Sequence, residues 1–172
     1  MQLIKNGEFI EDSFVAVGDE DALPDGPVIV SLERWQAERE TLSARNTPLG
    51  VRLKSGQEPS VIADDLDKLS VVALEFPAYR NGRAYSYARL LRERYGYKGE
   101  VRAVGNVLRD QFQFMIRCGF DALEVSDNIT PEIWAECSNF FSLFYQPAAD
   151  GKPTVLSLRQ RLAARAQSSD TA

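Results

Sequence analysis

The sequence predicts an α/β fold of repeated βα units on a mostly parallel sheet, either doubly wound or an incomplete TIM-type barrel, with an N-terminal β-hairpin. Three observations predict it. Residues 71–126 read as strand, polar turn and amphipathic helix, twice over, followed by a third strand. Val71–Phe76 is apolar until Glu75, as suits a parallel strand covered on both faces. Near the start, Asn6-Gly7 separates two short alternating runs, and this dipeptide suits the positive φ angles of a type I′ hairpin turn.

The elements follow in order. Gln2–Lys5 and Glu8–Ile10 are the hairpin arms, and Phe14–Val17 is a third strand. Gly18–Pro27 is an acidic loop. Residues 1–27 are too few to stand alone and are expected to pack on a single α/β domain over 28–166, with 167–172 a frayed tail. Val28–Leu32 is a buried strand. The next helix is capped by Ser31 and carries a thin apolar stripe of Leu32, Trp35 and Leu42. Gly50–Lys54 is another strand, and Val61–Leu66 a short helix. From about Arg83 to Tyr95, a helix places Ala84, Tyr87, Ala88, Leu91 and Tyr95 on one face. Val101–Val104 is a strand, Val107–Cys118 a helix with Gly119 as its left-handed terminator, and Ala122–Val125 the next strand.

Thr130 and Pro131 are suited to the cap and first position of a further helix. Its stripe of Ile133, Trp134, Cys137, Phe140, Phe141, Phe144 and Tyr145 reads as core. A terminal helix over Thr154–Ala166 carries Arg159, Arg161 and Arg165.

With 172 residues, 44% hydrophobic and 26% charged, the chain falls in the ordinary globular class. It has no apolar run long enough to span a bilayer. Its N-terminus lacks the basic start and apolar core of a signal peptide, so a cytoplasmic location without membrane contact is expected. Cys118 and Cys137 have no metal-type spacing and read as inert thiols, with Arg117 beside Cys118 as the one feature favouring thiolate. There is no histidine, which removes the usual general base and the commonest zinc ligand. VGNVLRD lacks the further glycines of a dinucleotide fingerprint, and RNGRAYS lacks the end of a P-loop. Neither a metal nor a cofactor is expected.

The net charge of −5 hides an asymmetry: residues 79–118 carry +6 and the remainder −11. The acidic remainder would repel a nucleic acid, so the expected partners are a small anion or an acidic protein. In a parallel sheet, ligands sit at the carboxyl ends of the strands. The candidates there are Arg80, Arg83, Ser86, Asn106 and Arg109 for an anion, aided by free N–H groups opening the Arg83 helix. Glu75, Tyr85 and Asp110 are the candidate proton handlers of a small enzyme. Arg89, Arg92 and Arg94 form a candidate docking face. The plainer alternatives are surface ion pairs for these arginines and an arginine partner for Glu75.

NGRAYS (81–86), ARLLRERYGY (88–97), RAVGNVLRDQ (102–111), RCGFDALE (117–124) and YQP (145–147) carry a resemblance. They resemble the uncharacterised bacterial family encoded beside assimilatory sulfite (or nitrite) reductase, often labelled probable oxidoreductase. The resemblance implies a role in sulfate assimilation, as an accessory protein docking on the reductase or its electron donor; it supplies no catalytic motif. The run from Val101 to Val125 is also similar in cadence to strand–helix–strand units of enolase-type barrels, without their metal-binding acids. That likeness concerns fold alone.

Overall fold

In the computed structural model, which describes residues 1–169, eight strands form one sheet in the order β2-β1-β8-β7-β6-β5-β4-β3. The strands are β1 (Gln2–Lys5), β2 (Glu8–Ile10), β3 (Val15–Ala16), β4 (Val28–Ser31), β5 (Leu49–Leu53), β6 (Val71–Phe76), β7 (Glu100–Gly105) and β8 (Ala122–Val125). β3 to β8 are neighbours in chain order and all parallel, while β1 runs antiparallel to both β2 and β8. A doubly wound sheet reverses its strand order at a switch point. This one does not, so its winding is that of a barrel.

The hairpin forces the sheet to curl. A flat sheet of this order would hold β2 and β3 about 34 Å apart, at about 4.8 Å per strand. Ile10 and Val15 are joined by only the four residues 11–14, which reach roughly 18 Å at most. The two edges must therefore approach one another, although they do not pair. The result is a curled half-barrel with 11–14 as a strap across its opening.

The period-2 alternation of the strands sorts residues onto two faces. Val28, Val30, Val51, Leu53, Val72, Leu74, Phe76, Val101, Ala103, Leu123 and Val125 point outward into the main core beneath the helices. On the inner face Ile29, Val71, Ala73 and Val104 form a small second core closed by Phe14 of the strap. Other inner positions carry charge: Lys5, Arg52, Glu75, Glu100, Arg102 and Glu124.

The helices are α1 (Leu32–Ala37), α2 (Arg39–Ser43), α3 (Arg83–Arg89), α4 (Phe112–Cys118), α5 (Pro131–Ser138) and α6 (Val155–Ser169). Ser31 caps α1 by accepting from Arg34 N at 3.0 Å, and Thr130 caps α5 the same way with Pro131 following. The expected helix after Ser31 is broken at Glu38, whose φ of −115° and ψ of 24° separate α1 from α2. Residues 59–68 are wound as a longer 3₁₀ segment than the predicted turn of helix. Beyond α3, Leu90–Arg94 continue as π-helix, with Tyr95 N donating to Leu90 O. α4 starts later than Val107, after a 3₁₀ turn at Arg109–Gln111. Gly119 ends it at φ 103°, as its position predicts.

Two expectations are corrected at the C-terminal side. α5 stops at Ser138, so Phe140, Phe141 and Tyr145 are not carried on its buried face and stand 73%, 61% and 83% exposed. α6 continues to Ser169 rather than ending at 166, which places the start of the expected tail inside the helix. The rest of that tail, 170–172, lies outside the described residues. Among the described residues, no helix is long and apolar enough to cross a membrane.

Candidate functional site

The segments beginning near 71, 101 and 122 do lie side by side in one direction, as β6, β7 and β8. Their following loops therefore share one edge. Gly105 joins the first two closely: Asn106 N donates to Phe76 O at 2.7 Å, and a Cβ on Gly105, at φ 90°, would meet that same oxygen at 2.6 Å. Only glycine fits this approach.

Arg80, Arg83, Ser86, Asn106 and Arg109 are all exposed at this edge. The guanidinium groups of Arg80, Arg83 and Arg109 have no acid within ion-pair distance among the described residues, nor do Arg94 and Lys98. Four of the nine cations in 79–118 are instead engaged. Arg89 bonds Glu93 on its own helix at 3.0 Å, Arg117 bonds Asp150 at 3.2 Å, and Arg92 and Arg102 are held inside. The plain surface-pair expectation thus fails for Arg80 and Arg83. The expected cradle of free N–H groups at the start of α3 is partly closed. Arg83 N lies 3.4 Å from the Asn81 side-chain oxygen, and Tyr85 N donates to Gly82 O.

The expected docking face also changes. Arg92 turns inward: its Nε donates to Gly119 O at 3.0 Å and its Nη1 to Tyr97 O at 2.7 Å and Gly99 O at 2.8 Å, while Nη2 pairs with Asp121. It locks the end of the α3 helix to the loops before β7 and β8, and is not available to a partner. Arg94 remains exposed and stacks near Tyr95.

The three candidate proton handlers do not meet. Glu75 is on the inner face, bonded to Arg52 at 3.2 Å. Tyr85 is on the helix side, edge-on to both Phe76 and Phe114, and burial pushes its hydroxyl well above the usual phenol range. Asp110 lies on the outer surface, beside a groove formed with Phe114, Glu136 and Phe141. The sheet separates Glu75 from the other two. Cys118 is buried, and burial raises its thiol above the ordinary value despite Arg89 and Arg117, so the thiolate expectation from Arg117 is not met. No group of His, Cys, Asp and Glu able to hold a metal occurs among the described residues.

The densest charge cluster lies elsewhere, on the inner face. Arg102 is 1% exposed and donates to Glu100 at 2.7 Å and to Asp12 of the strap at 2.6 Å, with Glu124 at 3.8 Å and the Phe14 ring under its guanidinium. Lys5 pairs with Glu100 at 2.7 Å. Burial raises the Glu124 carboxyl, while Arg102 opposes the shift and Asp12 adds to it. Reading the sequence for strand ends missed this cluster. The signal for it is a charged residue at alternate positions of otherwise apolar strands, as in Val101-Arg102-Ala103-Val104 and Ala122-Leu123-Glu124-Val125.

No curated protein matches the chain. Residues 50–156, from β5 into the first turn of α6, match the model of a family described as bacterial protein of unknown function (DUF934). The match takes in the parallel strands β5 to β8 with the helices between them, and Arg80, Arg83 and Arg109, and the chain belongs to that bacterial family, DUF934.

Proposed function

We propose that the protein is an accessory protein of assimilatory sulfate and sulfite reduction, which docks on the sulfite (or nitrite) reductase or on its electron donor. One observation carries the docking part. On a chain of net charge −5, the exposed Arg80, Arg83 and Arg109 stand together at the carboxyl edge of β6 and β7, and among the described residues no acid lies within ion-pair distance of them. Solvated cations grouped this way favour an acidic partner surface, chiefly through orientation and association rate. The pathway part is supported by the resemblance of the 81–97 and 102–124 stretches to proteins encoded beside the reductase. The test is co-purification at low salt with the reductase and with its donor, comparing the native chain with Arg80→Glu/Arg83→Glu. Retention of a partner by the native chain alone supports the proposal, and retention of neither reductase nor donor opposes it.

A second reading is favoured by the same residues' position. Arg80, Arg83 and Arg109 follow the carboxyl ends of parallel strands, where small ligands bind in such sheets. In this reading they hold a small anion. Titration with sulfite, sulfate or phosphate, followed by amide shifts over residues 80–86 and 106–110, separates it from protein docking.

A further inference from the structure

We propose that the chain binds a small organic monocarboxylate beside the loop that enters β8, at the opposite end of the strands from Arg80, Arg83 and Arg109 and independently of them. A cavity of about 520 Å³ lies there, within the size range of small-molecule sites. The hairpin turn forms one wall. Asn6 N donates to Asp121 O at 2.9 Å, which holds the Asn6-Gly7 turn against the loop before β8. The last turn of α5, with Trp134 and Ser138, forms a second wall, and the loop carrying Lys152 a third.

Two nearly enclosed side chains on α5 keep a donor that has no acceptor. Trp134 is 8% exposed and Ser138 is 7% exposed, and both line the cavity. A Cβ on Gly7 would stand 3.8 Å from Trp134 Nε1. The N–H edge of the indole therefore faces the turn, and glycine at this position leaves room in front of it. That N–H makes no hydrogen bond among the described residues. Ser138 Oγ accepts from Asn139 Nδ2 at 3.3 Å and donates to none of the described residues. Polar groups this enclosed ordinarily have a partner, and an indole N–H can only donate. An oxygen of a bound molecule supplies the missing acceptor.

Charge makes that oxygen anionic. The cavity wall carries two acids, and each is matched by an arginine: Asp121 by Arg92, and Asp150 by Arg117 at 3.2 Å. Lys152 is exposed and has no acid within ion-pair distance of its ammonium among the described residues. It is the one unmatched charge of the wall. A single cation with two neutral donors suits a carboxylate, whose two oxygens accept from several sides at once. Ile116, Phe120 and Leu123 offer apolar surface to the body of the acid.

The test follows the indole N–H resonances of the full chain while acetate, and then butyrate, replaces chloride at fixed ionic strength. The chain has two tryptophans, and Trp35, 1% exposed and outside the cavity wall, is the internal reference. The Trp134 resonance is expected to move and to saturate in the millimolar range, with Trp35 unmoved. Lys152→Gln, at an exposed position, is expected to weaken the response about tenfold, and Ser138→Ala about threefold, each with an unchanged far-UV spectrum. A Trp134 resonance that stays still, that moves without saturating, or that responds undiminished in both variants would each overturn the proposal.

Discussion

The Arg102 guanidinium in β7 donates to the Asp12 carboxylate at 2.6 Å, across 90 positions of sequence. This contact ties the strap between β2 and β3 to the middle of the sheet, and Phe14 closes the inner core beside it. Arg102→Ala leaves Asp12, Glu100 and Glu124 without their shared cation. Breaking a buried pair from one side costs about 3–5 kcal/mol, so the midpoint of urea unfolding is expected to fall sharply. Asp12→Asn keeps a neutral acceptor and is expected to cost less, about 1–2 kcal/mol.

Glu124 provides a pH test with a definite sign. Its carboxyl is raised, first by burial and then by Asp12, against the pull of Arg102. The folded chain therefore holds this proton more tightly than the unfolded chain does. From the ordinary glutamate value of about 4.3 up to the raised folded value, this group makes stability fall as pH rises. Glu124→Gln removes that contribution. Relative to the native chain, the variant is expected to gain melting temperature as pH rises above about 4.3, with a constant difference at lower pH. A difference that does not change with pH contradicts the assignment.

Arg92 uses the planar fork of its guanidinium on three carbonyls and the Asp121 carboxylate at once. A lysine ammonium cannot reach those acceptors in that geometry. Arg92→Lys and Arg92→Ala are both expected to destabilise by about 2–4 kcal/mol, with amide exchange rising first around Tyr97–Gly99 and Gly119. Full rescue by lysine would show that charge alone matters there.

The sequence was most legible where local chemistry decides structure. The apolar run Val71–Phe76, the Asn6-Gly7 turn, the Ser31 and Thr130 caps and the left-handed Gly119 all stand where their residue types place them. It was least legible where distant segments decide. The curl of the sheet depends on the length of 11–14 and on Asp12 meeting Arg102. Arg102 and Glu124 look like surface residues until strand order puts them on a face closed by Phe14. The aromatic stripe after Trp134 followed helical spacing past the true end at Ser138, because the backbone turns at Asn139 (φ −117°) without a proline or glycine to announce it.

The docking of an acidic partner by Arg80, Arg83 and Arg109 is tested most directly by the salt dependence of binding to purified reductase and donor. The account predicts association with one of them that weakens steeply as ionic strength rises through the physiological range, and that Arg80→Glu/Arg83→Glu abolishes with the fold intact. Absence of binding to both at low salt, or binding indifferent to salt and to the charge reversal, would contradict it.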